Sequence, residues 1–84
     1  MKIIGAYKNS FVPKDGGSTI VYYRIVGAVE ITDDKGLGFT GYEYKATNEA
    51  YTEVIELLNN GIDNLRLYFD AYRKVCKVVP YEYD

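Results

Sequence analysis

Thr19-Ile20-Val21-Tyr22-Tyr23-Arg24-Ile25-Val26-Gly27-Ala28-Val29-Glu30-Ile31 is the stretch whose reading decides the fold. Its β-branched and aromatic residues suit a pleated surface and resist a helix. Successive side chains of a strand point to opposite faces, so the run divides into two sets. Thr19, Val21, Tyr23, Ile25, Gly27, Val29 and Ile31 form the more apolar set, predicted to face a core. Ile20, Tyr22, Arg24, Val26, Ala28 and Glu30 carry the charges and are predicted to face outward. Gly27 interrupts the run, as a bulge or sharp bend in a curled sheet does.

Working outward, Lys2–Lys8 reads as a first strand. Asn9–Ser18, with Pro13-Lys14-Asp15-Gly16-Gly17-Ser18, reads as a loop. Thr32-Asp33-Asp34-Lys35-Gly36 is a hairpin connection, and Leu37–Lys45 returns as a third strand in which Gly38 and Gly41 permit curvature. A helix is predicted over Asn48–Asn60, capped by Thr47 or Asn48, with Glu49 at the positive end of its dipole. Tyr51, Val54, Ile55 and Leu58 fall at i, i+3, i+4 and i+7 as its apolar stripe, and Gly61 stops it. Leu65–Asp70 alternates as a fourth strand, Ala71-Tyr72-Arg73 turns the chain, and Lys74–Val79 is a fifth strand ended by Pro80. Residues 80–84 read as a frayed tail. The order β-β-β-α-β-β makes the chain mainly β with one helix, an α+β domain. Two architectures fit: a small OB-like barrel, or an open five-stranded curved antiparallel sheet with the helix on one face.

The 84 residues make one domain, 1–84, with 48% hydrophobic and 26% charged residues, as in soluble globular chains. Ten residues are tyrosine and none is histidine or tryptophan. Without histidine the commonest general base and the commonest metal ligand are both missing. Cys76 is alone, so no internal disulfide, tetrahedral zinc site or thiol–imidazole pair can be assembled. In its strand it faces outward with Val78 if Val75 faces inward and is otherwise a small core residue, with burial the default for a free cysteine. The expectation is a protein that is not an enzyme, needs no cofactor and works in a reducing, cytoplasmic setting. No apolar run approaches the ~18 residues of a membrane span. Gly36-Leu37-Gly38-Phe39-Thr40-Gly41 matches the dinucleotide fingerprint in letters, but Tyr42-Glu43-Tyr44 continues as strand where that motif opens a helix. Glu30, Asp33 and Asp34 lack the alternating spacing of a calcium loop and read as a solvated hairpin tip.

Net charge is −2 but unevenly spread. Residues 1–29 carry +3 from Lys2, Lys8, Lys14 and Arg24 against Asp15. Residues 30–63 carry −6, residues 64–77 carry +3 from Arg66, Arg73, Lys74 and Lys77 against Asp70, and the tail carries −2. Rings stand among the positive groups. Tyr22 and Arg24 lie on the even face of the second strand, Tyr42 and Tyr44 on that of the third, Arg66 and Tyr68 on the polar face of the fourth, and Tyr72, Arg73 and Lys74 at the last turn. Single-stranded nucleic-acid sites combine such stacking rings with cations that track phosphates.

Lys2-Ile3-Ile4-Gly5-Ala6-Tyr7, Tyr22-Tyr23-Arg24-Ile25 and Leu67-Tyr68-Phe69-Asp70-Ala71-Tyr72-Arg73-Lys74-Val75 resemble small one-domain proteins of phages and other mobile elements, some of which look like OB-type single-stranded DNA binders. The resemblance implies a topology and assigns no functional residues. The expected function is a binding domain for single-stranded nucleic acid through a tyrosine/arginine face. The alternatives are a protein-interaction module, such as a phage-type inhibitor of a host protein, and an oligomer-forming accessory protein whose tyrosines pack in a homodimer.

Overall fold

A computed structural model describes residues 1–31 and 36–81. The hairpin tip with Asp33 and Asp34, and the end of the tail, lie outside these residues. The elements are β1 (Lys2–Phe11), β2 (Ile20–Glu30), β3 (Phe39–Ala46), α1 (Asn48–Asn59), β4 (Leu65–Phe69) and β5 (Val75–Pro80), in the order expected. They build one five-stranded sheet, ordered β1-β2-β3-β5-β4.

The sheet is mixed, where the open-sheet alternative is antiparallel throughout. β1, β2 and β3 form an antiparallel meander, β4 and β5 a hairpin, and β3 meets β5 in parallel at Ala46↔Val75. The reason is connectivity: α1 and β4 together carry the chain back, so β5 runs beside β3 in the same direction. The sheet is not closed. Among the described residues its edge strands touch through one antiparallel bridge, Lys2↔Asn64, flanked by Ile3 N–H to Asp63 O (2.7 Å) and Leu65 N–H to Met1 O (2.9 Å).

β2 anchors the packing. Ile25 is fully buried and pairs with Ala6 on one side and Tyr44 on the other. The core gathers Ile3, Ile25, Ala46, Ala50, Val54, Leu65, Val75 and Val78. Gly27 leaves room where β2 passes the N-terminus, since a Cβ there would displace the Met1 side chain. The outer members of the predicted inward set, Val21 and Val29, remain 49% and 42% exposed, since the core does not reach the ends of so long a strand. β1 is also longer than expected. Asn9, Ser10 and Phe11 go on pairing with Tyr22, Val21 and Ile20, past the end of β3 at Ala46↔Tyr23, as a two-stranded arm. That arm contributes to an elongated molecule of 48 × 31 × 25 Å.

α1 starts as predicted, with Thr47 Oγ1 accepting from Ala50 N–H at 3.2 Å. Its buried face is turned from the predicted stripe. Ala50 and Val54 are buried and Leu57 and Leu58 pack with them, while Tyr51 meets Tyr23 at 5.1 Å and Ile55 is half-buried. The small Ala50 faces in because it lets the helix lie close to the strands. At the other end Gly61 (φ 76°) permits the paired closing bonds Gly61 N–H to Leu58 O (3.0 Å) and Ile62 N–H to Leu57 O (2.9 Å).

Cys76 is exposed, contrary to the default of burial. The β4–β5 register shifts between Tyr68 and Phe69, so Cys76 is an extra residue opposite Tyr68. Val75 and Val78, three apart, can then both turn inward, and both are fully buried.

With so few fully buried side chains, each carries a large share of stability. Leu65, at 0% exposure, is held in place from both ends of the chain. Leu65→Ala is expected to lower the unfolding free energy by about 2–5 kcal/mol in urea denaturation. A loss within about 0.5 kcal/mol, the range of a surface change, would contradict this packing.

Candidate nucleic-acid interface

The β2 register fixes which side chains share the outer face. Arg24 pairs with Tyr7 on β1 and Lys45 on β3, and Val26 pairs with Glu43. The Arg24 guanidinium lies 4.7 Å over the Tyr22 ring, and Tyr22 in turn meets Phe11 at 6.0 Å. Arg24 Nη1 donates to Tyr23 O (3.1 Å), and Nε stands 3.8 Å from Glu43 Oε1. The Tyr7 hydroxyl donates to the same Glu43 oxygen. A ladder of planar groups, Phe11, Tyr22 and Arg24, thus runs along the outer face toward a carboxylate.

Beside this ladder is a groove of about 330 Å³, whose lining includes Tyr22, Arg24, Lys45, Asn48 and Lys74. It opens where β3 leaves β2 and the chain turns into α1. Lys74 arrives from the β4–β5 turn, which Asp70 organises: its Oδ1 accepts from Tyr72 N–H (2.8 Å) and Lys74 N–H (3.0 Å). Arg73 completes that turn with φ 61°, a left-handed conformation that glycine would adopt more cheaply. Tyr72 stands 82% exposed at the same turn.

The nine residues read from sequence as a binding face do not form one. Tyr22 and Arg24 are on the outer face, and Lys74 joins them through the groove, with Tyr72 and Arg73 adjoining in the turn. Tyr42 and Tyr44 are on the opposite face: they pair with Gly27 and Ile25, the inward set of β2. Paired positions on β2 and β3 sum to 69, an odd number, so an even residue on one strand sits beside an odd one on the other. Tyr44 packs edge-on to Phe69 at 5.6 Å, and Tyr42 lies 6.4 Å from Tyr44. Tyr44 and Phe69 line a separate cleft with Met1, Leu65, Leu67 and Tyr81, and Arg66, another of the nine, lines it too. Arg66 and Tyr68 are on β4, three places from β2 in the sheet. There Arg66 lies 5.0 Å over Tyr81 and Lys77 lies 5.9 Å from the Tyr68 ring centre. Hydrogen bonding to the Tyr68 side chain, more than any other influence, raises the Arg66 pKa.

Tyr7, Phe11, Glu43 and Lys45 share the outer face and were not read as site residues. Phe11 falls in the stretch that reads as loop. The other three become visible once the ladder register is known.

Comparison with protein families, with curated proteins and with solved structures gives no match to this chain. Among the described residues, no three metal-ligating side chains come together, and no helix is long and apolar enough to cross a membrane.

The Glu43 hydrogen bond raises the Tyr7 pKa above its ordinary value of 10.0. The fold thus favours the neutral phenol, so this contact helps the folded state below pH 10.0 and its help is lost as pH rises through the folded-state pKa. In phenolate absorbance, the difference between the native protein and Tyr7→Phe is expected to titrate above 10.0, and to move back toward it in Glu43→Gln. A Tyr7 transition unmoved by Glu43→Gln would break the assignment.

Proposed function

We propose that the chain is a non-catalytic OB-type domain that binds single-stranded nucleic acid on the outer face of β1–β2–β3. Bases stack on the Tyr22–Arg24 platform and phosphates run along the groove past Lys45 and Lys74. The observation that carries this reading is the Arg24 guanidinium stacked 4.7 Å over Tyr22 at the mouth of a groove that also takes in Lys45 and Lys74. Rings supply sequence-tolerant stacking and the cations replace counterions around the phosphates. The strand order, the parallel β3–β5 pairing and the contact of the two edge strands at Lys2 and Asn64 support a partly open barrel. In such barrels the face of the second and third strands and the loops flanking it form the usual oligonucleotide site. The resemblance to small phage and mobile-element proteins, and a single exposed thiol suited to a reducing cytoplasm, agree with the reading.

Titration of fluorescent single strands at several salt concentrations tests it. With Arg24, Lys45 and Lys74 each neutralising a phosphate, log K is expected to fall with log salt at a slope of about −2. Lys74→Ala should flatten that slope by about 0.7. Tyr22→Ala should weaken binding by about 1–3 kcal/mol and leave the slope unchanged. Absence of binding at low salt, or binding indifferent to salt, would sink the proposal.

A protein-interaction or oligomer-forming role is the second reading. It is favoured by apolar side chains left in solvent near the hairpin of β2 and β3, Leu37 at 96% and Phe39 at 65% exposure. Sedimentation should then show self-association or a stoichiometric host-protein complex that Phe39→Ser weakens. A monomer at high concentration that captures no partner rules this reading out.

A further inference from the structure

A carboxylate sits in the middle of the proposed binding face, where a phosphate track would repel it. Glu43 is half-exposed there, and both of its contacts among the described residues, from Tyr7 and from Arg24, fall on Oε1. Among the described residues nothing donates to the second oxygen, Oε2, which can accept from a ligand. Of the cations of the groove, Arg24 pairs with Glu43 itself, while Lys45 is one outward position further along β3 and Lys74 comes from the β4–β5 turn. Glu43 is not part of the groove lining and sits beside Arg24, at the end of the planar ladder. A base stacked on Arg24 has that carboxylate beside it, since Arg24 Nε stands 3.8 Å from Glu43 Oε1.

We propose that Glu43 reads the base, accepting a hydrogen bond from an exocyclic amino group, so that the domain prefers cytosine to uracil or thymine. This rests on the nucleic-acid reading above. The pyrimidines have the same ring to stack and differ at position 4, where cytosine offers an amino donor and the others a carbonyl acceptor. An ionised carboxylate accepts only, so it attracts the first and repels the second. Carboxylate pairing with the cytosine 4-amino group is an established form of base readout. Tyr7 acts as a positioning residue, since its hydroxyl holds Oε1 and fixes the rotamer of the carboxylate.

The test compares oligo(dC), oligo(dU) and oligo(dT) of equal length at one salt concentration. The native protein should bind oligo(dC) roughly five-fold more tightly than oligo(dU), the effect of one monodentate contact at the lower end of base discrimination. Oligo(dT) should follow oligo(dU), because it presents the same 4-carbonyl acceptor to the carboxylate. Glu43→Gln, whose amide donates as well as accepts, and Glu43→Ala should both bring the dC/dU ratio close to one while tightening binding overall. A native ratio of one, or a preference that survives both substitutions, overturns the inference and leaves the binding reading standing. Failure of all three strands to bind at low salt overturns the binding reading itself, and this inference with it.

Discussion

The pairing of Ile25 with Ala6 and Tyr44 is the constraint on which the structure depends. A strand has a side-chain period of two, so placing one residue inward places every other residue of β2. With Ile25 at the centre of the core, Tyr23 and Gly27 turn inward beside it, and Tyr22 and Arg24 must turn out. The same register on the flanking strands brings Tyr7, Glu43 and Lys45 to the outer face. A slip of one residue would bury Arg24 without a counter-charge and expose Ile25, so packing protects the composition of the face as well as the core.

Two small junctions hold the rest of the chain against that meander. Ala46 meets Val75, and Met1–Ile3 meets Asp63–Leu65. Between them the helix places Ala50 and Val54 over the core, and its small residues let it approach closely. The bulge at Cys76 serves the same end, since it allows Val75 and Val78 to point the same way on a strand of only six residues.

The order of elements, the long central strand, its inward Ile25 and the capped helix were legible because each rests on local physics: alternation, helix period, capping and turn residues. What was not legible depends on pairing between distant segments. Tyr42 and Tyr44 look equivalent to Tyr22 and Arg24 by even number, yet a connection of even length, the eight residues between Glu30 and Phe39, pairs even positions with odd ones and sends them to the inner face. Phe11 reads as loop because nothing local says that β2 will keep pairing with it. Cys76 reads as buried by default because a bulge leaves no mark in a run such as Val75-Cys76-Lys77-Val78. Of the candidate site, Tyr22, Arg24 and Lys74 could be found from composition and strand pattern, whereas Glu43 and Lys45 required the register.

The bridge between Lys2 and Asn64 has a consequence for how the molecule comes apart. Loop-closure entropy grows by about 0.6 kcal/mol with each doubling of the span. This bridge spans almost three doublings more chain than the Phe11↔Ile20 pair that ends the arm, so it carries about 1.7 kcal/mol more closure entropy. The Tyr22–Arg24 platform belongs to the meander, whose contacts are short in sequence. The seam between the edge strands and the surface that would meet a ligand therefore draw on different contacts, and the seam can loosen while the platform stays assembled.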